Sequence, residues 1–245
     1  MDSIVSLGPL TMSLLLTASF TGSFITAAFG IGGGLVTLAA IASLLPTPAI
    51  IPVHGAIQIG SNSGRLAIMF RSFHGATFLP FAIGAIIGAV IGGAFVIELD
   101  PAILRIVLGA FIIWSILFKP PKFLSKSPSL VGVTSSFLSM FIGGTGPFVV
   151  TYIKTLELKR RELVATHAGF MTLQHSLKTL VFFALGFAFY DWAAFIFLMI
   201  LAGFLGTYLG RGVLMKINEV AFKKVLNIIL ALLAVRLILT GILSL

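Results

Sequence analysis

From Ser3 to Gly64 the chain runs 62 residues without an Asp, Glu, Lys or Arg. One helix needs only about 20 apolar residues to cross a bilayer, so this run must hold more than one membrane-embedded element. Composition agrees: of 245 residues, 58% are hydrophobic and 9% charged. Globular chains carry about a quarter charged residues to solvate their outside, so most of this exterior must meet lipid. The start, Met1-Asp2-Ser3, lacks the positive n-region of a cleaved signal peptide, and the first apolar stretch is read as part of the mature fold. The chain has no cysteine, which excludes disulfides, thiolate metal sites and Cys nucleophiles.

Further apolar blocks at about 76–96, 102–118, 128–153, 163–187, 192–213 and 225–245 are bounded by charge, Pro or Gly. With the first run split near Pro46 and Pro48, eight hydrophobic segments result, too long for the strands of a β-barrel. Twelve of the 16 basic residues fall in four clusters: Arg71; Lys119, Lys122 and Lys126; Lys154, Lys159, Arg160 and Arg161; Arg211, Lys216, Lys223 and Lys224. The positive-inside rule puts these in the cytoplasm and leaves outside the stretches around Pro46–Pro52, Glu98–Asp100 and Asp191, together with both termini. Block 128–153 lies between two positive clusters, so it must enter and return on one side. Gly143-Gly144-Thr145-Gly146-Pro147 supplies the break. The first run carries a similar break, Gly30-Ile31-Gly32-Gly33-Gly34, although residues 9–29 are long enough to span alone, which would change the orientation of the first half.

The two breaks suggest duplication. Ile31-Gly32-Gly33-Gly34 matches Ile142-Gly143-Gly144-Thr145 at an offset of 111 residues, while His54, Asn62 and Arg65 match His167, His175 and Lys178 at 113. Gly88 and Gly92 match Gly206 and Gly210 at 118; these, with Gly84 and Gly203, are read as small-residue faces for close helix packing. Each half then holds a broken element and three crossings, and an odd number of crossings inverts the second half. The expected fold is an all-α polytopic membrane protein of two inverted-topology repeats, 1–118 and 128–245, joined by a cytoplasmic linker at 119–127. Such a pair of halves can present one central site to either side of the membrane.

Arg65 and Lys178 lie deep in apolar segments, where a charge costs roughly 2.5–3.5 kcal/mol on insertion scales. Each sits on a polar stripe. His54, Gln58, Asn62 and Arg65 share one helical face, and His167, Met171, Gln174, His175 and Lys178 repeat the register. Neither stripe has an Asp or Glu, so a site built from them attracts an anion and repels a cation. N–H groups at the Gly-rich breaks add positive dipole character. The expected substrate site comprises Asn62, Arg65, His175 and Lys178 with Gln58, Ser61, Gln174, Gly32, Gly33, Gly34, Gly143, Gly144 and Thr145. His54 and His167, placed near opposite mouths, are open to a gating or proton-handling role and equally to plain interfacial hydrogen bonding. Arg105 and Arg236 have no counterparts and read as snorkelling charges. Nothing calls for a metal or cofactor, and no basic face outside the clusters suits nucleic acid. The sequence leaves the oligomeric state open, a homodimer included.

The motif Ala28-Phe29-Gly30-Ile31-Gly32-Gly33-Gly34, its repeat Phe141-Ile142-Gly143-Gly144-Thr145-Gly146-Pro147 and the Gly-xxx-Gly helices resemble the TauE/SafE sulfite exporter family, also called TSUP, the 4-toluene sulfonate uptake permease family. The second motif has Thr145 where members commonly carry a third glycine. The resemblance spans essentially the whole chain. It implies export of sulfite or an organosulfonate such as sulfoacetate across a bacterial cytoplasmic membrane. An anion-selective channel is the nearest rival, and an intramembrane enzyme stands behind it, without a metal-ligand cluster or a Ser/His/Asp arrangement.

Overall fold

Proline and short polar side chains start several of the helices. Asp100 caps one by accepting from the N–H groups of Ala102 and Ile103 (2.7 and 3.4 Å), followed by Pro101 at the first helical position. Ser127 and Pro128 do the same for another, and Glu162 accepts from the Lys159 N–H at the start of a third (3.1 Å). The computed structural model describes residues 7–29, 32–95, 100–212 and 219–245, without the side chains of 219–223, 225 and 226. Met1–Ser3, Gly30, Ile31, Glu98 and Lys216, on which the sequence reading partly rests, lie outside the described residues, as does the Lys223 side chain.

Among the described residues there are ten α-helices and no strand: α1 Pro9–Phe29, α2 Gly33–Leu44, α3 Thr47–Met69, α4 Phe78–Ala94, α5 Pro101–Leu117, α6 Pro128–Ile142, α7 Gly146–Ile153, α8 Arg160–Ala184, α9 Ala193–Gly210 and α10 Glu219–Ile242. At 1.5 Å per residue the 21 residues of α1 reach about 31 Å, and α1 and Phe189–Gly210 are long and apolar enough to cross a bilayer. The polarity of the bundle is that of a lipid-embedded protein. Leu79, Ile83 and Val90 of α4, Phe197 and Leu201 of α9 and Leu232 and Leu239 of α10 are exposed, whereas Arg65, Lys178, His54, His175 and Gln174 are buried.

Helix α4 packs against α6, α9 against α1, α5 against α10 and α3 against α8. Exchanging the first five helices for the last five leaves this scheme unchanged. The pairs α4–α6 and α9–α1 run parallel. A Cβ on Gly84 or Gly88 would meet the carbonyls of Ser129 and Val133, and one on Gly206 or Gly210 those of Phe20 and Phe24. These glycines therefore allow backbone-to-backbone approach, the packing role read from their spacing. The pairs α3–α8 and α5–α10 run antiparallel: Gly55 lies against Lys178 and Thr179, whereas His74, just past α3, donates its N–H to Thr166 Oγ1 (3.0 Å). Gly109 lies against Ala234 and Ile238, and Gly241 against Ala102 and Ile106.

Both expected breaks occur. Gly32 (φ 102°) precedes α2 and Gly143 (φ 70°) follows α6, each in the left-handed region that favours glycine. Helix α2 folds back along α1, so that Gly33 meets Gly22 and Thr26 while the Thr37 hydroxyl reaches Gly22. At the far end of α1, Arg160 donates from Nη2 to the Ala28 carbonyl (3.1 Å), which ties this hairpin to the basic first turn of α8.

Replacing Gly88 or Gly206 by Ala puts a methyl group onto a carbonyl of the partner helix and should cost roughly 1–3 kcal/mol. Thermal melts should show a clear fall for both variants and none for Gly8→Ala, where nothing lies within 4 Å. Equal melting of all three would contradict the close-packed pairs.

Candidate functional site

Where α3 crosses α8 between the two breaks, they enclose a cavity of about 40 Å³. By the same measure a water molecule needs roughly 10–15 Å³, so there is room for a few waters or one small anion. The polar stripes face it. His54, Gln58 and Asn62 come from α3 and His167, Met171 and His175 from α8, while Gly32 and Gly34 and Gly143, Gly144, Gly146 and Pro147 come from the breaks. Thr26 and Leu35 complete the wall.

Each break is held by a histidine. His54 Nε2 donates to the Gly34 carbonyl (3.1 Å), and His167 Nε2 donates to the Gly146 carbonyl (3.3 Å). A carbonyl only accepts, so these bonds fix the proton of each neutral ring on Nε2 and leave Nδ1 bare. The expected position of these histidines needs correction. Because α3 and α8 run antiparallel with their stripes facing, His54 comes opposite His175, with ring centroids 5.8 Å apart, and both His54 and His167 are buried in the same cavity as Asn62, not set at opposite mouths.

The two cations stand behind this wall. Arg65 folds back along its own helix, donating from Nη1 to Asn62 Oδ1 (2.9 Å) and from Nη2 to Ser61 Oγ (3.2 Å). Asn62 in turn donates to the Gln58 carbonyl and to Gln58 Oε1 (2.8 and 3.2 Å). Ser61 also pairs with Ser23 of α1 (2.8 Å). One polar chain thus leads from α1 through Arg65 to the cavity amides. Lys178, fully buried, approaches the Gly143 carbonyl (Nζ to O 3.5 Å). Both cations were expected in the site, yet neither lines the cavity, because each side chain runs along its helix to a polar group of the framework. Their charges still act on it, Lys178 at His54 and His175 and Arg65 at His167.

Ser61, Gln174, Thr145 and Gly33 also lie off the cavity wall. Gln174 donates from Nε2 to Thr145 Oγ1 and accepts from the Ser135 hydroxyl (3.1 Å), bracing the second break. Gly33 is a packing residue, since a Cβ there would run into the Gly22 carbonyl. The sequence reading missed Thr26 and the buried Ser19, Ser23, Ser135 and Ser139. Their spacing of three and four residues in α1 and α6 was the available signal.

The described carboxylates, Asp100, Glu157, Glu162 and Asp191, all lie at helix ends or in turns, away from the cavity lining. Two internal cations with no acid beside them among the described residues give the site a positive field. No group of three or more potential metal-ligating side chains occurs among the described residues. Gln174→Leu should strand the Thr145 and Ser135 hydroxyls and lower stability by about 1–3 kcal/mol, read as a reduced melting temperature. An unchanged melt would remove its bracing role.

No curated protein and no solved structure matches the chain. A family profile does, over residues 14–237 of 245, and its description is sulfite exporter TauE/SafE. That match covers both breaks, both polar stripes and the glycines that join α4 to α6 and α9 to α1. The chain belongs to the sulfite exporter TauE/SafE family, a family of membrane transporters.

Proposed function

We propose that the protein is a secondary transporter that exports a small sulfur-containing anion, sulfite or an organosulfonate such as sulfoacetate, by alternating access. The observation that carries this reading is the cavity backed by Arg65 on one helix and Lys178 on the other, with no carboxylate in its lining. The membership of the family supports the sulfur oxyanion class and the direction.

The anion would sit between Gln58, Asn62 and His175, with N–H groups near Gly34 and Gly146 turned to its oxygens at the starts of α2 and α7. Arg65 acts through Asn62: it engages the amide oxygen, and the Asn62 N–H groups hold Gln58, whose own Nε2–H groups are left for the anion. Lys178 neutralises charge from the opposite end of the cavity. Residues 1–118 and 128–245 would be inverted repeats. The antiparallel packing of equivalent helices, the exchange of α4–α6 for α9–α1 and the matching bonds of His54 and His167 support that reading. Sliding of one repeat against the other along α3 and α8 would open the cavity to each side in turn. With the basic clusters in the cytoplasm, both termini would lie outside a bacterial cytoplasmic membrane.

Purified protein should be stabilised against thermal unfolding by at least one of sulfite, sulfate, thiosulfate, sulfoacetate and taurine, and in proteoliposomes the flux of that anion should saturate and show counterflow. Arg65→Met and Lys178→Met should each weaken binding at least ~30-fold, about 2 kcal/mol, while leaving a folded protein. Unchanged affinity in both variants would refute the roles of the two cations, and a flux that neither saturates nor shows counterflow would replace the transporter with a channel.

A further inference from the structure

The polar side chains that line the cavity are three imidazoles, two amides and one hydroxyl: His54, His167, His175, Gln58, Asn62 and Thr26, whose hydroxyl donates to the Gly22 carbonyl. The Nδ1 atoms of all three imidazoles are buried without a hydrogen-bond partner. An orphaned buried polar atom costs about 1–3 kcal/mol, and three on rings that line one cavity are groups a ligand there would satisfy.

What they can satisfy depends on where each ring keeps its proton. His54 and His167 have committed Nε2–H to the carbonyls of Gly34 and Gly146, so Nδ1 of each neutral ring presents a lone pair. A lone pair repels an anion's oxygen. Either ring can hold such an oxygen only after Nδ1 gains a proton, which makes it a charged donor and leaves the Nε2 bond to the carbonyl intact. His175 is under no such constraint. Neither of its nitrogens is tied to a carbonyl, and as a neutral ring it can turn an N–H toward the ligand at no cost in protons.

The remaining charged groups make the proton depend on the anion. From α3 the rings face Arg65, and from α8 they face Lys178. The sequences of α1, α2, α4 and α6 contain no titratable side chain, α5 contributes Arg105, half-buried, the turn after α3 contributes the exposed Arg71, α7 contributes Tyr152, packed in the apolar core, and α9 contributes Tyr208, half exposed on the outer face. Arg65 and Lys178 thus bring positive charge to the cavity from behind its wall, and no described carboxylate lines it. An anion offsets them, and a third positive charge is then accommodated beside it; by linkage, a proton already present strengthens anion binding by the same factor.

Resting on the reading of this cavity as a sulfur-anion site, we infer that the protein binds its anion together with a proton, held on Nδ1 of His54 or His167, so that the proton is a second substrate. The proton comes from water on the side where the anion enters, turns one imidazole into imidazolium, donates to an anion oxygen and is released with the anion. No bond within the anion is made or broken. The net charge moved per anion is then less negative by one.

Calorimetric titration of the purified protein with sulfate, thiosulfate and sulfoacetate, all fully ionised at neutral pH, in two buffers of different ionisation enthalpy reads proton uptake directly. The expected result is about one proton taken up per anion bound, and none in the His54→Gln/His167→Gln double variant. Anion binding by the native protein without proton uptake overturns the inference and leaves the proposed function standing. Uptake that survives in the double variant but disappears in His175→Gln overturns the assignment to His54 and His167. Failure of every sulfur anion to bind overturns the proposed function and this inference with it. Should the double variant fail to fold, the native stoichiometry still decides, since a value of zero is fatal.

Discussion

A guanidinium and an ammonium buried in a lipid-facing bundle, with no carboxylate beside them among the described residues, set the terms for the rest of the molecule. Charges at such depth persist only when the framework supplies hydrogen bonds and something offsets the field. The framework supplies part of this. Arg65 has Asn62 and Ser61, and Lys178 has only the Gly143 carbonyl, reached at the limit of a hydrogen bond. The offsetting charge is absent from the cavity lining, and an anionic ligand is the natural source of it. A bound anion is therefore at once the cargo and the counter-ion of the two cations.

The geometry that keeps both cations on one cavity comes from glycine. Backbone approach at Gly84, Gly88, Gly206 and Gly210 clamps α4 to α6 and α9 to α1. With those pairs forming the flanks, α3 and α8 meet in the middle with their stripes facing, and the turns at Gly32 and Gly143 bring backbone to the cavity from either side. His54 and His167 then join each stripe to a break, so any motion of a break relative to its polar helix must strain or break a histidine–carbonyl bond.

Much of this was legible in the chain. Helical spacing identified the inward faces of α3 and α8, because a lone Arg or Lys in an apolar segment has few other places to go. The glycine ladders announced the close pairs, and Gly32 and Gly143 marked the breaks. Periodicity reports which face turns inward, however, and not what that face meets. It could not show that Arg65 would be spent on Asn62 and Ser61 behind the wall, or that Gly33, in the same run as Gly34, would serve only to fit against Gly22. Depth counted along a single helix put His54 at a mouth, whereas the antiparallel partner brings His175 to meet it. Ser19 and Ser23 were overlooked because a hydroxyl in an apolar helix costs little when it bonds within a helix or to a neighbour, and so leaves a weak trace in composition.

The central claim is that an oxyanion occupies the cavity between α3 and α8. Selenate, a heavier analogue of sulfate, tests this most directly through its anomalous scattering in crystals grown with the ion. A single peak enclosed by His54, Gln58, Asn62, His167 and His175, and lost in Arg65→Met, is the predicted result. Peaks confined to the basic clusters at the helix ends, with the cavity empty under saturating selenate, would contradict it.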